Sequence, residues 1–261
     1  MRLAVVQTNP VFGNFRSNVD AACELMRMEP ADLYVLPELF NTGYNFIESG
    51  EVAALAESVL GKTGTALVKY AKINNCFIVY GFAEKADLIY NSAALVGPEG
   101  LIGVYRKVHL FYRENLFFAP GNLGFPVFKT SLGMIGMMIC FDWYYPESAR
   151  SLALNGAQLI AHPSNLVLPH CPDAMVTRCL ENRVYAAMSN RIGREDRGGN
   201  DLSYIGNSEI VSPRGEILTR MNSVEQGVAT IECDFGKADN KRINEFNDLL
   251  AGRRIDQYSN K

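Results

Sequence analysis

Cys140 ends the apolar run Gly136-Met137-Met138-Ile139 and is followed by Phe141-Asp142-Trp143-Tyr144-Tyr145 and then Pro146-Glu147. That order reads as a strand, a sharp turn and a helix start, with a thiol at the corner. A thiol held there is exposed, close to backbone N–H groups and near the positive end of a helix dipole. All three favour thiolate and oxyanion chemistry. A buried cysteine at a strand end is the plain alternative, because free cysteine is usually buried.

A nucleophilic cysteine needs a base, and its oxyanion needs a cation or N–H donors. His109, His162 and His170 leave Cys–His chemistry open on composition alone. A zinc site from His162, His170, Cys171 and Cys179 is conceivable. Its spacing matches no standard finger or ribbon, and Pro169 and Pro172 bracket His170-Cys171. Carboxylate and lysine offer another solution. Glu38 sits in Val35-Leu36-Pro37-Glu38-Leu39-Phe40, where burial would raise its pKa toward that of a working base. Lys107 lies in the apolar run 101–110. It reads equally well as a functional cation or as a solvated strand end.

These residues need a scaffold, and the chain has the means to build one. Its 261 residues are 48% hydrophobic and 20% charged, with a net charge of −3. That supports a sizeable core and argues against disorder. No basic cluster exceeds Gly252-Arg253-Arg254, so nucleic acid is an unexpected partner. The N-terminal run turns polar at Gln7, too early for a signal peptide, and no membrane span follows. A cytoplasmic protein is expected. Its six scattered cysteines, without a C-x-x-C pair, then read as free thiols.

Apolar runs predict strands over 3–7, 33–36, 77–82, 92–96, 102–107, 133–139, 158–161, 208–211, 216–220 and 227–232. Helical patterns predict helices over 14–28, 63–74, 146–155, 172–188 and 237–250, with Asn14 and Thr63 as N-caps and Pro146 and Pro172 in first turns. The Gly-rich segment 193–201 reads as an exposed, mobile loop. Residues 91–100 match 207–215 with one residue dropped, each a strand, a Pro-x-Gly turn and a returning strand. Two related halves follow, each a sheet covered by helices, and facing sheets would make an α-β-β-α sandwich. Glu38, Cys140 and the stretch His162-Pro163-Ser164-Asn165 would then lie at carboxyl ends of strands, where α/β sheets place ligands.

Three segments in order resemble the carbon–nitrogen hydrolase (nitrilase) superfamily: Leu36-Pro37-Glu38, Tyr105-Arg106-Lys107-Val108-His109-Leu110, and Cys140 through Glu147. Further matches are Glu114 with Phe118-Ala119-Pro120-Gly121, then 162–165, Arg178 with Glu181-Asn182-Arg183, 190–193, 206–208 and 213–215. The likeness covers almost the whole chain as one domain over 1–261 and looks closest to small archaeal and bacterial nitrilases and aliphatic amidases. It implies Cys140 as nucleophile, Glu38 as general base, Lys107 as oxyanion stabiliser and Glu114 as a second glutamate that positions substrate and water. It implies the same α-β-β-α sandwich, no metal and no organic cofactor. It also implies a homodimer or higher homo-oligomer formed through the 146–155 and 172–188 helices, with the tail 249–261 as an arm.

The expected substrate is a small-molecule amide or nitrile. Cys140-Phe141-Asp142 favours the amide, since nitrile-hydrolysing members commonly carry Cys-Trp-Glu. Phe141, Asn165, Tyr44 and Trp143 are the expected substrate or oxyanion contacts, the first through its backbone N–H. Aromatic residues near these segments suggest a tight pocket for a short acyl group, or simply core packing. Arg113, Arg178 and Asn165 would suit a distal carboxylate, although Arg178 with Glu181 also fits a helical i,i+3 pair. A non-catalytic scaffold of the same fold is the remaining alternative.

Overall fold

In the computed structural model, which describes residues 1–259, two six-stranded sheets lie face to face with helices on their outer sides. The first sheet is built from β1 (Arg2–Gln7), β2 (Leu33–Val35), β3 (Phe77–Lys85), β4 (Ile89–Gly97) and β5 (Gly100–Arg106). The second holds β6 (Val127–Thr130), β7 (Gly133–Met137), β8 (Leu159–Pro163) and β9 (Tyr185–Ser189). A separate hairpin of β10 (Arg194–Arg197) and β11 (Asn200–Ser203) precedes its last strands, β12 (Glu209–Val211) and β13 (Ile217–Arg220). The chain then returns to the first sheet as β14 (Gly227–Glu232), antiparallel to β1.

The two-residue alternation of a strand divides the core. Leu3, Val5, Leu33 and Val35 face inward and share one cluster with Ile135, Met137, Leu159 and Ala187. Their neighbours Ala4, Val6 and Tyr34 face outward, onto Val19 and Met26 of α1 (Phe15–Met28) and away from the second sheet. After α2 (Ser49–Leu55), α3 (Lys62–Asn74) covers the same outer face through Leu67 and Ala71. On the second sheet the cover is α4 (Pro146–Leu154) and α5 (Cys171–Asn182), through Leu152, Met175 and Cys179. The architecture is the expected four-layer α-β-β-α sandwich.

The two halves repeat strand for strand. β1, β2 and β3 are parallel, and β4 and β5 follow antiparallel. β7, β8 and β9 are parallel, and β12 and β13 follow antiparallel. Even the register shift recurs, at Leu95/Val96 in one hairpin and at Ile210/Val211 in the other. The match between 91–100 and 207–215 is this repeated hairpin.

Four expectations need correction. The helix expected over 172–188 ends at Asn182, where Arg183 turns left-handed at φ 51°. Tyr185–Ser189 is instead the strand between β8 and β12, so pairing on both sides overrides the helical preference of Ala and Met. The helix expected over 237–250 is absent: a single 3-10 turn, Phe235–Ala238, is followed by turns. Asn240, Asn244 and Asp248 accept hydrogen bonds from the backbone two or three residues on, which competes with helix formation. Segment 193–201 is largely an ordered hairpin, closed by Gly198 and Gly199 at φ 56° and 74°. That glycine pair is the two-residue turn signal. Gly61, not Thr63, caps α3, and Thr63 bonds Glu57. α2 and β6 had no expected counterpart. The last two residues of the expected tail arm lie outside the described residues. Among the described residues no helix is long and apolar enough to cross a membrane.

Candidate active site

Three strand ends and one following turn converge where the parallel strands stop. Glu38 comes three residues after β2, its backbone packed against Gly81 of β3. A Cβ at Gly81 would stand 2.5 Å from the Glu38 Cα, so only glycine lets the two backbones approach this closely. Lys107 follows β5 directly. Its N–H bonds the Asn91 carbonyl at 2.8 Å, and its carbonyl accepts the Gly121 N–H at 2.8 Å. Glu114 sits in the 3-10 turn Tyr112–Leu116.

The Lys107 ammonium bridges both carboxylates, donating to Glu38 Oε1 and to Glu114 Oε1 at 2.7 Å each. Each of those oxygens takes a second donor: Asn91 Nδ2 at 2.6 Å on Glu38 and the Tyr44 hydroxyl at 2.5 Å on Glu114. Glu114 Oε2 accepts the Phe111 N–H at 3.2 Å. Glu38 Oε2 is buried and bonds no described residue, which leaves its lone pairs open to a proton.

Cys140 heads a 3-10 turn, Cys140–Tyr144, at φ 59°. For a residue with a Cβ that is a strained conformation, of the kind that clusters at functional sites. Asp142 holds it. Its carboxylate accepts the Ile139 N–H at 2.9 Å and the Tyr105 hydroxyl at 2.6 Å on one oxygen. The other oxygen meets the His109 N–H at 3.1 Å and His109 Nδ1 at 2.8 Å. Tyr105 and His109 flank Lys107, so one carboxylate ties the strand end carrying the lysine to the turn carrying the thiol. Asp142→Asn replaces an acceptor with an N–H₂ group that faces donors. It is expected to cost about 2–3 kcal/mol, a fall in Tm of roughly 5–10 °C, and at least tenfold in kcat by a steady-state assay. An unchanged melting curve would remove this anchoring role.

The exposed thiol expected from the sequence is in fact buried. Cys140 is 4% exposed. Burial pushes its pKa well above the usual thiol value, the Glu38 charge adds to this, and Lys107 and the Asn165 N–H oppose it. Cys140 therefore rests as a neutral thiol rather than a thiolate. Burial also raises Glu38, to about 7, against the pull of Lys107. Burial disfavours charge on Lys107, but the facing Glu114 and Glu38 carboxylates outweigh it and keep the lysine protonated. The arrangement is a thiol, a proton acceptor of near-neutral pKa and a fixed cation. It suits nucleophilic attack with proton transfer.

The remaining expected contacts divide. Tyr44 braces Glu114, and its backbone N–H is held at 3.1 Å by Glu195 of β10. Glu195 also accepts the Asn45 N–H at 2.7 Å and pairs with buried Arg191. The Asn165 side chain donates to the Glu38 carbonyl at 2.8 Å. Phe141 and Trp143 line the cavity that opens on Cys140.

Arg178 donates to the Trp143 carbonyl at 3.3 Å and to Glu181 at 3.2 Å, the i,i+3 pairing. Two of the three histidines, His162 and His109, serve structure. His162 Nε2 donates to the Cys140 carbonyl at 3.1 Å, and burial lowers its pKa to about 4. His109 is taken up by Asp142. Among the described residues no group of three or more His, Cys, Asp or Glu is placed to hold a metal ion. Sequence reasoning missed Asn91, Asp142 and Glu195 as supports. Asn91 had a signal, a polar residue set just before the apolar run 92–96. The hold of Glu195 on Tyr44 and Asn45 had none, because those partners are about 150 residues away.

The chain is similar to known proteins over most of its length. The carbon–nitrogen hydrolase family model matches residues 2–242. A protein called nitrilase from Pyrococcus abyssi is 48% identical, over 99% of each chain. An N-carbamoylputrescine amidase from Solanum tuberosum is 32% identical, over 87% of this chain and 84% of that one. The crystal structure of a carbon–nitrogen hydrolase from Helicobacter pylori superposes with a TM-score of 0.88 at 26% identity, covering 99% of this chain and 97% of the other.

Proposed function

The chain belongs to the carbon–nitrogen hydrolase family, and from that premise we propose that it hydrolyses the non-peptide C–N bond of a small amide through a thioester on Cys140. The observation that carries this reading is Lys107, which holds Glu38 and Glu114 at 2.7 Å each beside a buried thiol. An ammonium has three donors, and these two bonds leave the third for a substrate oxygen.

Cys140 Sγ attacks the amide carbonyl carbon as Glu38 Oε2 takes the thiol proton. Lys107 and the Phe141 N–H, in the first turn of its 3-10 segment where N–H groups lack helical acceptors, hold the oxyanion. Collapse breaks the C–N bond, and Glu38 passes its proton to the departing ammonia or amine. A water oriented with help from Glu114 then gives its proton to Glu38 and attacks the thioester carbon. The acid leaves, and Cys140 regains a proton from Glu38. Ammonia release from propionamide and butyramide, with an acyl adduct on Cys140 seen by intact-protein mass spectrometry, tests the scheme. Cys140→Ala should abolish both, and undiminished ammonia release from that variant would sink it.

Nitrile hydrolysis is the second reading, favoured by the 48% identity to a protein called nitrilase. Asp142 is fully buried and holds donors from four groups. Any discrimination carried by the Phe141-Asp142 pair therefore reaches the substrate through Phe141. Faster ammonia release from a nitrile than from its matching amide would put this second reading first.

A further inference from the structure

Resting on the amide reading, we infer that the acyl group bound at Cys140 is short and uncharged, and that the site rejects amides bearing a carboxylate or an ammonium at the far end. The cavity above Cys140 is walled by Phe111, Phe141, Trp143, Leu166, Val167 and Leu168, and no residue lining it is charged. Its volume is about 20 Å³, where one water needs roughly 10–15 Å³. That is room for one or two groups of that size, so the acyl chain held there is short.

The two arginines suited by sequence to clamp a carboxylate are elsewhere. Arg178 is committed to the Trp143 carbonyl and Glu181. Arg113 lies over the Phe117 ring, 6.0 Å from its centroid, and lines a second cavity with Tyr44 and Glu114, not the one that opens on Cys140. Asn165 turns its amide N–H₂ to the Glu38 carbonyl. Beside Cys140, though not lining the cavity, the Glu38–Lys107–Glu114 cluster sets two carboxylates against one ammonium, so with both ionised its field repels an anion. A terminal cation would gain a modest attraction from the ring faces, less than taking an unpaired charge out of water costs. Apolar walls therefore disfavour either charge, and the neighbouring net negative cluster adds a further penalty for an anion.

The test compares butyramide with succinamate and with 4-aminobutyramide, which share the reacting end and differ in terminal charge. Butyramide is expected to lead each in kcat/KM by at least about 100-fold. Leu168, 47% exposed at the cavity mouth, offers a gain-of-function arm. Leu168→Arg should raise succinamate relative to butyramide by at least tenfold.

A readout without turnover is the alkylation of Cys140 by iodoacetamide against iodoacetate, followed by peptide mass spectrometry. The preference for the neutral reagent should exceed that of free cysteine by at least tenfold. Equal or better use of succinamate or 4-aminobutyramide, or an alkylation ratio equal to that of free cysteine, overturns the inference while leaving the hydrolase reading standing. Ammonia release that survives Cys140→Ala overturns the reading itself, and this inference with it.

Discussion

Glu38→Gln is expected to lower kcat/KM for a neutral amide by about 10³–10⁴-fold while the protein stays folded. Glutamine fills the same space and keeps an oxygen for Lys107 and Asn91, which both bond Glu38 Oε1. It cannot take the Cys140 proton. The loss should be severe because the thiol has no route of its own to thiolate: burial holds its pKa well above the ordinary value. In an enzyme with a resting thiolate, removing the base would spare the attack. Here acylation itself should fail, and no acyl adduct should accumulate on the variant. Accumulation of adduct would restrict Glu38 to the water step.

The same group sets the pH dependence. Glu38 must be ionised to accept a proton, and burial raises its pKa to about 7. The rate for an uncharged amide should therefore rise with pH through roughly neutral and fall away in acid. Thiolate absorbance should stay absent at pH 8. A profile flat down to pH 5 would contradict the assignment.

Lys107→Met should have the largest effect on stability. Lys107 is fully buried and is the shared cation of two buried carboxylates. Removing one partner of a buried ionic cluster leaves charge uncompensated, a cost of about 3–5 kcal/mol. In a chain of this size that lowers Tm by roughly 10–15 °C, and activity should vanish with the oxyanion donor.

The sign of the pH effect separates this from a simple packing loss. Lys107 pulls the Glu38 pKa down against burial, so its removal raises that pKa further. A carboxyl with a raised folded pKa favours the folded state below its unfolded value and loses that advantage as pH rises through the folded value. The deficit should be small near pH 5 and full above neutral. An equal deficit at pH 5 and pH 8 would assign the loss to packing alone.

The layers of the fold were legible because strand and helix periods differ. Apolar runs marked β1, β2, β3 and β7, and the recurring Pro-x-Gly hairpin was enough to disclose the two halves. What escaped notice depended on partners distant in the chain. Tyr185–Ser189 carries helix-favouring residues and became a strand only because β8 and β12 flank it. The tail looked helical by pattern, but its Asn and Asp side chains bond their own backbone instead.

The site divides in the same way. Sequence alone placed Glu38, Lys107 and Cys140 at the ends of apolar strands, and the family resemblance added Glu114; Lys107 bonds both glutamates, and all three act electrostatically on Cys140. Their order and flanking residues are local properties, open to inspection one segment at a time. Only the tertiary structure decided their protonation. An exposed, activated thiol was expected at the strand-to-helix corner, but the thiol is buried, and burial pushes its pKa well up and that of Glu38 to about 7. Desolvation depends on everything packed around a group, and the surroundings of Cys140 come from β2, β5, β8 and the turns that follow them. No segment of the chain carries that information by itself.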